Sequence, residues 1–140
     1  MRIFLTTWNL GNSKPQGDIG EYWLKDARRC QIIAIGIQEG KASDCLDKCK
    51  EIFPEEEFVL LKVVTLWNIS LIVYVQKPLK RWIHDMKTAI KPTGFANYFG
   101  NKGGVLVTFK IFQFSIAFLN CHLAAGPDQQ QSRICILSKN

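Results

Sequence analysis

Asn9, Glu39 and His122 each close a short apolar run, and their side chains are those that handle metals, phosphates and protons. In an extended strand every second side chain shares a face. Ile3, Leu5, Thr7 and Asn9 form one such set, Ile33, Ile35, Ile37 and Glu39 a second, and Phe114, Ile116, Phe118, Asn120 and His122 a third. Each set runs apolar and finishes polar, as expected where rigid strands aim ligands at one edge of a sheet. Glu39 is a hard carboxylate donor suited to Mg²⁺, and Asn9 adds a neutral oxygen or orients a ligand. His122 can contact an anionic phosphate when charged, or move a proton. The combination points to metal-assisted hydrolysis of a phosphate ester.

Plainer readings stand beside each residue. Asn9 precedes Leu10-Gly11-Asn12 and on composition alone reads more readily as a turn residue. Glu39 reads as a solvated charge at a strand end, and His122 as a hydrogen-bonded structural histidine. The coincidence of all three at strand ends is what favours a site.

The loop Phe99-Gly100-Asn101-Lys102-Gly103-Gly104 adds a second chemical element. Its glycines let backbone N–H groups approach an anion, and Lys102 supplies a point charge. The spacing is not that of a Walker A loop, which needs Ser or Thr after the lysine. A tight glycine turn with a solvated lysine is the competing reading.

The elements that must position these groups follow from periodicity. Residues 2–8 and 31–38 read as buried strands. Between them Ile19, Tyr22, Trp23, Ala27 and Cys30 recur at helical spacing behind Asp18, a capping residue. Ala42, Cys45, Leu46, Cys49 and Phe53 mark a second amphipathic helix that Pro54 ends. Residues 58–66 and 69–76 read as adjacent strands joined near Trp67-Asn68, and 105–112 with 114–121 as a hairpin. Between Lys77 and Gly104 the pattern weakens, and the last dozen residues are polar with helical character. The order predicts a mixed α/β domain on a large sheet.

The 140 residues are 47% apolar and 21% charged, a globular balance that allows one domain. No apolar run reaches the roughly 20 residues of a membrane-spanning helix, and no small-residue cleavage site follows the amino-terminal strand, so a cytoplasmic location is expected. A net charge of +6 suits an anionic partner. The five cysteines are odd in number and scattered, which argues for reduced thiols; Cys45 and Cys49 read as buried on the apolar stripe of their helix rather than as a metal pair.

Four segments together resemble the inositol polyphosphate 5-phosphatases of the endonuclease/exonuclease/phosphatase superfold: TWNLGN at 7–12, GIQEG at 36–40, TGFANYFGNKGGV at 93–105 and FLNCHLAAG at 118–126. The resemblance spans the chain and implies that residues 1–140 are the amino-terminal part of a catalytic domain, a truncated portion of a four-layer αββα sandwich. It implies that Asn9 and Glu39 bind Mg²⁺, that His122 engages the scissile phosphate with Asn120 as its catalytic neighbour, and that Asn101, Lys102, Gly103 and Gly104 meet substrate phosphates. The implied reaction is in-line attack of water on the 5-phosphate of a phosphoinositide or soluble inositol polyphosphate. Peripheral contact with membranes fits that substrate, and no nucleic-acid partner is expected.

Departures from the pattern qualify the expectation. Cys121 stands where relatives commonly have Ser, and Ile134, Cys135 and Ile136 drift from the family after Arg133. The family's later Gly-Asp-x-Asn, Trp-Cys-Asp-Arg and Ser-Asp-His segments do not occur in these residues, so little activity is expected of them alone. The segment is expected to supply mostly one of the two sheets, leaving Ile3, Leu5, Ile33, Ile35, Ile116 and Phe118 on an exposed face. The competing functions are a non-catalytic phosphoinositide- or protein-binding relic of the fold, and a nuclease or sphingomyelinase of the superfold.

Overall fold

The computed structural model describes residues 1–93 and 102–126, together with Gln130 and Arg133. Strands β1 (Ile3–Asn9), β2 (Ile32–Gln38), β3 (Phe58–Leu66) and β4 (Ile69–Gln76) form one sheet in the order β1-β2-β4-β3. Strands β5 (Ile83–Pro92), β6 (Gly103–Ile111) and β7 (Phe114–His122) form a second, in sequential order. Among the described residues only β1 and β2 pair in parallel, and the other pairs are antiparallel. The β1–β2 crossover carries α1 (Ile19–Tyr22) and a 3-10 turn at Ala27–Arg29, and α2 (Ala42–Ile52) follows β2.

The two sheets pack face to face, which corrects the expectation that this segment builds mostly one. Ile32, Ala34, Leu71 and Val73 from the first sheet meet Val105, Val107, Phe109 and Phe118 from the second in one dry core. Ile33, Ile35 and Ile37 point the other way, onto Cys45, Cys49 and Phe53. Strand β2 is buried on both faces because it has a sheet on one side and helices on the other. The expected exposed face therefore divides. Ile33, Ile35 and Phe118 are buried, Ile116 is half-buried, and only Ile3 and Leu5 on the edge strand remain exposed, at 43% and 68%. Their register partners are Ile32 and Ala34, so they extend the inner face beyond the reach of β7. Among the described residues the order of layers is helix, sheet, sheet.

The crossover helix is shorter than its spacing predicts. Asp18 caps it as expected, its Oδ1 accepting from Gly20 N at 3.0 Å and Glu21 N at 3.2 Å, but one turn later the chain leaves the helix. Tyr22 is exposed, while Trp23 turns inward, donating from Nε1 to Thr6 Oγ1 at 2.5 Å and packing edge-on against Trp8. Strand β5 is the element the periodicity did not reveal. It is an edge strand exposed on both faces over most of its length, so no alternation of burial marks it. A register shift between His84 and Lys87, with Asp85 at positive φ, interrupts its ladder. The polar tail lies outside the described residues apart from Gln130 and Arg133; Arg133 donates to Ala124 O and Gly126 O. No described helix is long and apolar enough to cross a membrane.

Candidate active site

Three of the expected residues converge at the carboxyl ends of β2 and β7. His122 Nε2 lies 3.1 Å from Glu39 Oε1 and in contact with Lys102 Nζ. Lys102 is delivered by the start of β6, whose first residue, Gly103, pairs with His122. Gly103 is required by close approach: a Cβ there would lie 2.5 Å from Lys91 O and 2.6 Å from Leu66 Cδ2. Gly104 pairs with Cys121 in the next register position. Asn101 lies outside the described residues.

Glu39 reaches this point by leaving the strand. Continued alternation would send it with Ile33, Ile35 and Ile37 toward the helices. Instead β2 ends at Gln38 and Glu39 takes a left-handed φ of +53°, an uncommon conformation for a residue with a side chain. Its carbonyl accepts from Asn12 N at 2.7 Å, locking the bend to the loop after β1. Backbone strain of this sort is characteristic of functional sites.

His122 Nε2 can serve one of its two neighbours at a time. With the proton on Nδ1 it accepts from the Lys102 ammonium; with the proton on Nε2 it donates to Glu39. Burial and the Lys102 cation hold the imidazole below its ordinary value, while Glu39 pulls the other way and does not prevail. These surroundings favour the neutral ring. An anion entering between Lys102 and His122 would meet a fixed cation and a group ready to gain charge.

Asn9 sits on the neighbouring strand end, opposite Gln38 in the β1–β2 register. It is exposed, and its Oδ1 accepts from Gly11 N at 3.0 Å, closing the turn that the plainer reading proposed. An amide oxygen retains a second lone pair, so the turn does not exhaust it. Glu39 and Asn9 give one carboxylate and one neutral oxygen, and among the described residues no group of three or more His, Cys, Asp or Glu side chains is placed to hold a metal ion. That all-oxygen, carboxylate-poor set fits a cation that keeps several waters and completes its shell with substrate phosphate, as Mg²⁺ does, and does not fit a structural zinc.

Asn120 lies where the two sheets meet, two residues before His122. It is buried, and its Nδ2 donates across the sandwich to Ile37 O at 2.9 Å and Ser70 O at 2.8 Å. Its Oδ1 accepts from Gln38 Nε2 at 2.5 Å, and Gln38 Nε2 also donates to Thr7 Oγ1 at 2.7 Å. Both amide hydrogens have protein partners and the oxygen has one, so Asn120 braces β7 against β2 while also lining the cleft beside His122. Gly36 makes room, since a Cβ there would stand 2.7 Å from Asn120 Oδ1. Gln38, Thr7 and Ser70 were not singled out from the sequence. The available signal was Gln38, a polar side chain ending a strand otherwise made of apolar residues. An open cleft of about 520 Å³, lined by Thr7, Gly36, Gln38, Leu71, Asn120 and His122, opens onto this network.

Comparison with known proteins gives these features a lineage. Residues 6–139 match the model of Endonuclease/Exonuclease/phosphatase family 2. The chain is 32% identical over 94% of its length to the rat phosphatidylinositol 4,5-bisphosphate 5-phosphatase A, of which it covers 15%. It is 33% identical to the human phosphatidylinositol 3,4,5-trisphosphate 5-phosphatase 1 and covers 12% of that protein. The crystal structure of the inositol polyphosphate 5-phosphatase domain of SPsynaptojanin, in complex with inositol (1,4)-bisphosphate and calcium ion, superposes with a TM-score of 0.81 at 20% identity, covering 96% of this chain and 44% of that one. A Cimex nitrophorin, solved as a ferrous NO complex, superposes at 0.73 and 15% identity, so the fold alone does not specify phosphate chemistry. The chain belongs to the endonuclease/exonuclease/phosphatase family, as a relative of the inositol polyphosphate 5-phosphatases that spans a small part of the length of those enzymes.

Proposed function

We propose that Glu39, Lys102 and His122, with Asn9 at the adjacent strand end, form the metal- and phosphate-engaging side of a site that hydrolyses the 5-phosphate of inositol polyphosphates or phosphoinositides with Mg²⁺. The observation that carries this reading is the meeting of a carboxylate, an ammonium and an imidazole at His122 Nε2. Relatives named as 5-phosphatases and a fold neighbour solved with an inositol bisphosphate and calcium support it.

Each residue has a separable task. Lys102 and His122 draw the phosphate oxygens to one point, and protonation of His122 as the anion arrives adds a second donor. Glu39 and Asn9 offer the oxygen ligands for a divalent cation, which when bound supplies Lewis-acid stabilisation of charge developing on phosphate oxygen. Asn120 and Gln38 fix the strands that present these groups.

Calorimetric titration of the 140-residue chain with inositol 1,4,5-trisphosphate, with and without Mg²⁺, tests the reading. Binding that needs Mg²⁺ and weakens in Glu39→Ala and Lys102→Ala supports it. Binding that is absent, or equal in wild type and both variants, sinks it. Phosphate release assayed alongside separates turnover from binding: release above the Glu39→Ala background supports hydrolysis by these residues, and binding without release supports a phosphate-binding module.

A further inference from the structure

A groove of about 320 Å³ opens on the helix side of the first sheet, between α2 and β3. Phe53, Phe58 and Tyr74 form its floor, with the Phe53 ring 5.3 Å from Phe58 and 5.0 Å from Tyr74 between centroids. Leu60 pairs with Tyr74 in the β3–β4 register and stands 43% exposed at the side, on a face that α2 leaves open. Strand β4 begins at Ile69, next to the Asn68 carbonyl that meets Gly40, so Tyr74 near its other end is remote from Glu39.

Tyr74 is only 5% exposed, yet its hydroxyl forms no hydrogen bond among the described residues. No fully buried side-chain oxygen among those residues lacks a partner, so this hydroxyl must reach open space, and the open space beside Tyr74 is the groove. Burial first, and then the Cys49 and Cys45 thiols, raise its pKa. The group stays a hydroxyl that can donate one hydrogen bond and accept another.

The edge of the groove is acidic in a basic chain. Six of the twelve acidic side chains lie between residues 44 and 57, against two lysines, while the whole chain carries +6. Asp47 and Glu55 line the groove; Asp47 pairs with Lys50 at 3.2 Å, and Glu55 forms no ion pair among the described residues. Exposed Glu51 and Glu56 are likewise unpaired there.

An apolar groove edged by carboxylates suits a cation on an aliphatic stem, since the methylenes bury while the head stays at the polar edge. Arginine adds a planar fork of donors that a carboxylate and a hydroxyl oxygen can share. We propose that the α2–β3 groove docks a basic peptide segment of a protein partner, with an arginine stem against Leu46 and Leu60 and its guanidinium toward Glu55 and the Tyr74 hydroxyl. The negative edge repels phosphate ligands, so this surface is separate from the function proposed above and stands or falls without it.

The test titrates the 140-residue chain into fluorescein-labelled hexapeptides that alternate Leu with Arg, Gln or Glu, read by anisotropy, with amide NMR spectra mapping the contact. The Arg peptide is expected to bind, and the Gln and Glu peptides to bind about tenfold more weakly or worse. Tyr74→Phe, which removes only the hydroxyl, should weaken Arg-peptide binding about fivefold, the scale of one hydrogen bond. Glu55→Gln should weaken it about threefold and flatten its salt dependence. Asp85→Asn, on the edge strand of the second sheet, should bind as wild type. Shifts at Leu46, Asp47, Glu55 and Leu60 support the groove, whereas shifts at Glu39 and His122 instead would overturn it. No binding by wild type would also overturn it, as would equal binding of the Arg and Gln peptides or wild-type affinity in both Tyr74→Phe and Glu55→Gln. A chain that sediments as a dimer dispersed by Leu60→Ser would overturn it too, because a second copy would then occupy the groove.

Discussion

Gln38 and Asn120 join the two sheets through a buried hydrogen bond, Gln38 Nε2 lying 2.5 Å from Asn120 Oδ1 two residues before His122. The residue after Gln38 is Glu39, so this bond fixes the spacing of the strand ends that carry the site. Removing Asn120 would take one acceptor from the Gln38 amide and the donor from the Ile37 and Ser70 carbonyls. Asn120→Ala is expected to cost about 2–4 kcal/mol, because each buried polar group left without its partner costs on the order of 1–3 kcal/mol. Urea unfolding checks it: the midpoint should fall with the slope unchanged.

Gly36 and Asn120 should prove coupled. A methyl group at Gly36 would meet Asn120 Oδ1 at 2.7 Å, so Gly36→Ala must displace the amide or spread the sheets. Overpacking of this sort costs about 1–3 kcal/mol. In a double-mutant cycle the cost of Gly36→Ala should shrink in the Asn120→Ala background, since the obstructing atom is then gone. Additive costs would show that the methyl clashes elsewhere.

What could be read from the sequence was a buried face in a regular period or a short apolar run bounded by turn residues. Strand β1 and helix α2 show the first, and β2 and β4, buried on both faces, show the second. Strand β5 was missed because it buries neither face for most of its length. The division of the exposed-face residues was missed because β2 is buried on both sides, and a continuous apolar run does not say which neighbour lies where. At the site, the residue types at Glu39, Lys102 and His122 were legible. The left-handed bend that brings Glu39 to His122 was not, since alternation assumes that the strand continues. Asn120 was legible as important, but its task depends on Ile37 and Ser70, which only the packing of the sheets brings near.

The cysteines should divide by reactivity. Cys45 and Cys49 are fully buried one helical turn apart, with their sulfurs at 4.0 Å, and the neighbouring thiol and burial push Cys49 up. Because the thiolate is the nucleophile, Cys49 is protected by both access and protonation. Cys30 and Cys121 are only half-buried. Brief maleimide treatment of the native chain should label Cys30 and Cys121, with Cys45 and Cys49 reacting only after denaturation, as mass mapping of peptides would show. Labelling of Cys45 or Cys49 at the rate of Cys30 would mean that α2 opens readily.

His122 gives the pH prediction its sign. Burial first, and then the Lys102 charge, lower its pKa, while Glu39 raises it by less. The unfolded chain, with an ordinary imidazole near a pKa of about 6.5, therefore binds this proton more readily than the folded chain. Stability from this group is complete above the unfolded value and is lost as pH falls through the folded one. Titration of the imidazole resonances by NMR, assigned with His84→Asn, should place His122 below the ordinary value. Lys102→Gln should raise it by removing a repelling cation, and Glu39→Gln should lower it further. Added inositol trisphosphate should also raise it, because a phosphate between Lys102 and His122 favours the charged ring; no upward movement would mean that the anion binds elsewhere.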